Sequence, residues 1–126
     1  MRQNISSNSP YEPIVGFSRA VRAGGSVFVS GTAAWDADGK MVTGGVYEQA
    51  AQCIRNIEAA LVKVGASLSS VVRTRIYLVD IDTQDDASRA HRETFGEIRP
   101  ASTLVGVSRL ASAEMLVEIE ADAVIE

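Results

Sequence analysis

The chain of 126 residues has little of several things that would announce a function: one cysteine, one histidine, three prolines and 6% aromatic residues. A lone cysteine, Cys53, excludes an internal disulfide framework and a cysteine-rich zinc site. A lone histidine, His91, leaves Ser-His-Asp or Cys-His chemistry only if it is the base. No apolar run approaches the roughly 20 residues of a membrane span, so no membrane partner is expected. Residues 1–13 contain no apolar stretch that could serve as a signal peptide. No lysine-rich block exists, and 12 basic against 16 acidic residues leave a net charge of −4. Nucleic acids and anionic membranes reward clustered positive charge and are poor partners for such a chain. Neither a GxGxxG nor a GxxxxGK[ST] loop is present to cradle phosphates. The acids Asp80, Asp82, Asp85 and Asp86 lack the glycine and closing glutamate of a calcium loop and suit a helix start instead. No metal and no cofactor is expected. What remains is a soluble protein of a reducing compartment, taken as cytoplasmic.

Apolar residues make up 46% of the chain, enough to fill one core. Residues 1–13, polar and carrying Pro10 and Pro13, read as a flexible amino-terminal arm, and residues 14–126 as the domain. Ile14–Val21 reads as irregular, and Arg22-Ala23-Gly24-Gly25 as a turn. Ser26–Ser30 is a β-branched and aromatic strand, which Gly31 interrupts before a second short strand over Thr32–Trp35. Ala50, Ile54, Ile57, Leu61 and Val64 recur at helical spacing, so a helix is predicted from Val46 to Val64, closed by Gly65. Val71–Val79 alternates as a strand. Thr83-Gln84-Asp85-Asp86 resembles a capping box opening a second helix to about Glu97. Thr103–Val107 and the alternating segment from Met115 to Ile125 are the last strands. An α+β fold follows, with two long helices on one face of a mostly antiparallel sheet. The opposite face, bearing Tyr77, Leu116 and Val124, would be bare in a monomer, so a homo-oligomer is expected.

His91 reads as a boundary residue between core and solvent, and Cys53 as a small buried hydrophobe. Glu118, Glu120 and Asp122 share one strand face about 7 Å apart and repel one another unless paired. Arg73, Arg75 or Arg109 could pair them across the sheet. Alternatively one of the three sits in a cleft with a raised pKa and handles a proton.

Several segments stand together in one order: Val27-Phe28-Val29-Ser30-Gly31, Gln49 with Cys53-Ile54-Arg55-Asn56-Ile57, Gly65-Ala66-Ser67-Leu68, Val71-Val72-Arg73-Thr74, Pro100-Ala101-Ser102-Thr103 and Val117-Glu118-Ile119-Glu120-Ala121. In this the chain resembles the Rid family (reactive intermediate deaminases, YjgF-like) over nearly its whole length. The resemblance implies a chorismate-mutase-like fold, a homotrimer, and small-molecule clefts between subunits. It implies hydrolysis of enamines and imines to 2-oxo acids and ammonia, with an arginine gripping the substrate carboxylate and an acid positioning water. By the same resemblance Glu118 matches the acid, Ser30 and Gly31 match cleft positions, and Ser88 stands where an asparagine is frequent. Phe17 replaces an aromatic that usually carries a hydroxyl, and Ser102 replaces the arginine. Losing a charge-assisted hydrogen bond of roughly 1.5–3 kcal/mol weakens carboxylate binding on the order of 10- to 150-fold. Neither Arg99 nor Arg109 is an obvious substitute.

The sequence therefore points to a Rid-like homotrimer binding a small metabolite, and to a hydrolase of C=N or related bonds with an atypical site. The alternatives are an ordinary 2-imino acid deaminase, gripping its substrate with backbone groups around Gly31 and Ser102, and a non-catalytic binding protein. The endoribonuclease label carried by some relatives finds no support in a net charge of −4.

Overall fold

The computed structural model describes residues 1–126. In chain order its elements are β1 (Arg2–Ile5), α1 (Tyr11–Val15), β2 (Ala20–Ala23), β3 (Ser26–Thr32), α2 (Val46–Lys63), β4 (Val71–Leu78), α3 (Gln84–Phe95), β5 (Ala101–Gly106) and β6 (Val117–Val124), with 3-10 turns at Leu68–Ser70 and Ile81–Thr83. The strands form one sheet in the order β1-β2-β3-β6-β4-β5. Every pairing is antiparallel except β4 with β5, where α3 supplies the crossover that a parallel pair needs. No helix is long and apolar enough to cross a membrane.

The apolar stripe of α2 lies where its period puts it. Ala50, Ile54, Ile57 and Leu61 are buried, and Val117, Ile119, Ala121 and Ala123 of β6 belong to the same core. Phe95, Ile57, Leu61, Leu78 and Ile119 are among its largest fully buried side chains. Burial of such a side chain contributes about 1.5–3 kcal/mol. Two polar residues on α2 fix the segments leading into the sheet. Gln49, itself buried, accepts from the Leu116 amide at 2.9 Å and donates to the Glu114 carbonyl at 2.9 Å. Asn56, seven residues on and so on the same helix face, donates to the carbonyls of Ala33 (3.0 Å) and Trp35 (2.9 Å). At the helix start the Glu48 carboxylate accepts from the Gly45 amide at 2.8 Å. At its end Gly65 takes φ +81°, and Arg22 donates to the Val64 carbonyl at 2.6 Å.

Four details differ from the sequence reading. Residues 1–13 are not a loose arm: Arg2–Ile5 pair with Ala20–Ala23 as an edge strand, and α1 follows. The reason is Glu12, only 6% exposed, whose carboxylate accepts from the Ser6 hydroxyl at 2.8 Å and the Ser7 amide at 3.1 Å. Burial alone would raise the Glu12 pKa, but the Ser7 and Ser6 hydrogen bonds outweigh it and hold the carboxyl below its ordinary value. Ile14–Val21, read as irregular, contains the end of α1 and the start of β2. Gly31 does not end its strand, because β3 runs on to Thr32 and only an isolated bridge, Trp35 to Met41, lies beyond. Thr83 makes no side-chain cap on α3; its hydroxyl donates to the Asp80 carbonyl at 2.6 Å, within the 3-10 turn that leads into the helix.

Replacing Glu12 with alanine strips the acceptor from several donors at once. Glu12→Ala should lower unfolding stability by about 1–3 kcal/mol and speed amide exchange in β1 and β2, measured by denaturant melts and hydrogen exchange. Unchanged exchange in β1 would show that the strand holds without this carboxylate.

Candidate functional site

The site begins with a register shift. Val29 pairs with Ala121 but Thr32 pairs with Ile119, so β3 spends three steps where β6 spends two. The extra residue makes a bulge at Ser30-Gly31, the kind of distortion that re-aims groups beside a functional site. Gly31 then comes against Glu118: a Cβ built on Gly31 would lie 2.9 Å from both Cδ and Oε2 of that side chain. Only glycine lets the carboxyl occupy this position. A methyl group there would displace the flexible end of Glu118 rather than the backbone.

The bulge is held from the neighbouring hairpin strand. Ser30 donates through its amide to the Arg19 carbonyl at 3.0 Å and through its hydroxyl to the Ser18 carbonyl at 2.6 Å. Thr32, buried, donates its hydroxyl to the Ser30 carbonyl at 2.7 Å. Arg19 donates from Nη2 to the Gly31 carbonyl, and its guanidinium lies 5.7 Å from the centre of the Phe17 ring. Its Nε is a buried nitrogen with no hydrogen-bond partner.

The three carboxylates of β6 separate into two kinds. Arg75 lies 3.8 Å from Glu120 and 3.5 Å from Asp122, and the Tyr77 hydroxyl donates to Glu120. The cross-strand pairing expected for the acidic face is thus met for those two by Arg75 and Tyr77. Glu118 has no ion pair within 4.0 Å; the salt bridges of the chain are the two at Arg75 and one between Arg89 and Asp86. Burial raises the Glu118 pKa above the ordinary carboxyl value, and Arg19 pulls it only partly back. Burial in turn lowers the Arg19 pKa, against the attraction of Glu12 and Glu118. None of Arg73, Arg75 and Arg109 pairs with Glu118, and the cation nearest to it in effect is Arg19. Arg19 couples to it electrostatically, but spends one arm on Gly31 and stops short of a direct pair.

Arg19 was not singled out from sequence, because its place depends on a strand register. The Gly24-Gly25 turn folds β2 onto β3 with Ala20 opposite Val29, and the same register carries Arg19 to Ser30. Phe17, Ser30, Gly31 and Glu118 thus belong to one neighbourhood.

Ser102 and Ser88 do not join it within one chain. Tyr77 pairs with Glu118 on one side and Val105 on the other, whereas Thr74 pairs with Ala121 and Ser102. Directly paired residues share a face, so Ser102 points to the helix side of the sheet and Glu118 to the opposite side. Ser88 is exposed on α3. The Ser102 hydroxyl accepts from Thr74 at 2.8 Å, and the Thr74 oxygen lies 2.8 Å from His91 Nε2. His91, partly buried, packs on Phe95 with ring centres 4.7 Å apart. Cys53 is fully buried, and burial pushes its thiol pKa well up, as befits an inert core residue. No group of three or more His, Cys, Asp or Glu side chains is placed to hold a metal ion. Two concavities, of about 270 Å³ beside Phe17 and Glu12 and about 510 Å³ between Tyr47 and Arg55, are not lined by Glu118 or Ser102.

Comparison with known proteins bears on the family and the fold. Residues 7–125 match the family model described as endoribonuclease L-PSP. A crystal structure from Mycobacterium tuberculosis, Rv2704 of the YjgF/YER057c/UK114 family, superposes with a TM-score of 0.92 at 42% identity, covering 99% of this chain and 100% of that one. A RutC family protein of Pyrococcus abyssi is 39% identical over 111 residues, 87% of each chain. An uncharacterized protein of Streptomyces coelicolor, SCO2049, is 36% identical over 121 residues, 96% of this chain and 90% of that one. The fold is the α+β, chorismate-mutase-like one. The chain belongs to the Rid family, the same group as YjgF/YER057c/UK114.

The raised Glu118 pKa makes a signed prediction. The folded state holds this proton more tightly than the unfolded state, so stability falls as pH rises from the ordinary carboxyl value of 4.5 through the raised one. Glu118→Gln should remove that decline and leave the protein more stable at neutral pH, by about 1 kcal/mol or less. Urea melts across the acidic-to-neutral range check this; a variant less stable than the parent at neutral pH would contradict it.

Proposed function

We propose that this protein is a homotrimer that binds a small metabolite in clefts between subunits and hydrolyses C=N or related bonds there. The observation that carries the reading is the split across the sheet. Glu118 and Ser102, both matched to cleft positions of the family, lie on opposite faces of one sheet, so one chain alone does not bring them to one ligand. Two subunits meeting face to edge would do so. The outer face and the β5 edge suit such contacts, since Phe28, Val72, Val105 and Val124 are all at least 40% exposed.

In this cleft Glu118 positions and activates water. Its carboxyl is half-buried, short of an ion pair and raised in pKa above the ordinary carboxyl value by burial, the direction that favours proton exchange. Attack of that water on the carbon of a C=N bond yields a carbinolamine, which expels the amine as the carbonyl forms. Gly31 leaves the carboxyl room. Arg19 keeps it partly ionised through space without neutralising it. Because Nη2 of Arg19 is committed to Gly31 and its Nε is buried, this guanidinium does not present the two-pronged grip a carboxylate requires. The ligand is therefore neutral or amine-bearing rather than an acid. The protein acts in the cytoplasm, needs no cofactor, and has no nucleic acid partner.

Coupling an amine oxidase, whose imine product carries no carboxylate, to the protein and following imine decay tests the catalytic part. Acceleration should vanish in Glu118→Ala and in Gly31→Ala and persist in Ser102→Ala. Equal activity in parent and Glu118→Ala would overturn it. Size-exclusion with light scattering should give about three times the chain mass of 13.4 kDa, and a stable monomer would contradict the shared cleft. Ser102→Arg should raise activity on imino acids by roughly 10- to 150-fold, the reach of one charge-assisted hydrogen bond.

A further inference from the structure

The hydrogen-bonded row at the edge of the sheet is absorbed by none of the above. Thr74 is completely buried in β4, Ser102 is exposed on β5, and His91 reaches over from α3. The Thr74 hydroxyl oxygen sits 2.8 Å from each partner. A threonine hydroxyl has one proton to give. Since it donates to Ser102, its contact with His91 must be satisfied by a proton on Nε2. The ring is neutral near pH 7, because burial lowers its pKa below 6.5, and so it carries that single proton on the nitrogen facing Thr74. The row therefore runs in one direction, from His91 Nε2–H to Thr74 to Ser102. Its last hydroxyl, on the exposed Ser102, donates to no acceptor within the chain and is free to donate to a ligand.

We propose that His91 and Thr74 are positioning residues that make Ser102 an oriented, uncharged hydrogen-bond donor, selecting ligands that present a neutral carbonyl or amide oxygen here while their nitrogen faces Glu118. This rests on the shared cleft proposed above and names the ligand class it takes. The physical reason is complementarity of form. An arginine at residue 102 would favour a carboxylate through charge, whereas a hydroxyl that already accepts from Thr74 offers one proton and no charge. A carboxylate at this end finds no counter-charge and meets the field of Glu118 from the other side. An uncharged carbonyl accepts the proton, and successive bonds along the row strengthen one another.

Titrating the protein with alaninamide and with alanine, followed by amide chemical shifts at Gly31 and Glu118, tests this. Alaninamide should bind more tightly than alanine. Thr74→Val, which keeps the shape and deletes the hydroxyl, should weaken alaninamide by roughly 2- to 10-fold and leave alanine unchanged. Ser102→Ala should do the same, and the double variant should be no worse than either single one, because the row acts as a unit. His91→Phe should reproduce the loss while retaining the packing on Phe95, and His91→Gln should restore part of it. Additive losses, or Thr74→Val with an unaltered preference, would overturn the proposal while leaving the cleft intact. If neither probe shifts the Gly31 and Glu118 amides, the cleft reading fails and this ligand assignment fails with it. Nitrogen-15 spectra of the unliganded protein give a readout that depends on no ligand: His91 should be the neutral Nε2–H form, and an Nδ1–H form would reverse the row and sink the proposal.

Discussion

The approach of Glu118 to Gly31 is the contact on which the site's organisation turns. One extra residue in β3 bends that strand toward β6, and the absent Cβ leaves room for a carboxyl that any other residue would push aside. The bulge is not free to relax. Ser30, Thr32 and Arg19 tie it to the adjoining strand, while Asn56 holds the chain just beyond it. Gln49 does the same for the segment entering β6. Two polar side chains on one face of α2 thus hold the segments flanking both strands that make the contact. The energy comes from the apolar stripe of α2, and the placement comes from its amides.

The electrostatics follow from that geometry. On a uniform acidic strand face the three carboxylates would repel one another, yet only Glu118 is left without a direct cation. Arg75 serves Glu120 and Asp122, and Tyr77 adds a donor to Glu120. Arg19 is near enough to temper Glu118 but is anchored to a backbone carbonyl. A direct buried ion pair would fix the carboxylate in its charged form. A cation held slightly away leaves the proton affinity high, which is the condition acid–base work needs.

A sheet has two faces, and this one uses them for different purposes. The helix side holds the core and, at the exposed β5 edge, the row from His91 to Ser102. The other side holds the acidic ladder and exposed apolar groups such as Phe28 and Val124. Residues spaced by an even number along a strand stay on one face, and no local rearrangement brings the two sets together within a chain. A ligand that touches both must lie between chains, which couples assembly to function in the proposed trimer.

Much of this was legible in the residues themselves. The period of Ala50, Ile54, Ile57 and Leu61, the Gly65 stop, the alternation of β4 and β6 and the family's motifs determined the α+β class, both long helices and the membership in the Rid family. The edge strand at Arg2–Ile5 was not legible, because three polar residues and one isoleucine carry no strand pattern and become one only by pairing with β2 and by the anchoring of Glu12. Cross-strand pairing of the acids was legible, but not the choice of Arg75 over Arg73 and Arg109, which depends on the register of β4 against β6 rather than on spacing within either. Arg19 beside Glu118, and Ser102 turned away from it, were likewise settled only in three dimensions. Local patterns depend on neighbours a few residues apart, so the sequence displays them directly; a bulge, a strand register and the face a side chain takes depend on pairings between distant segments, and only the folded chain makes those.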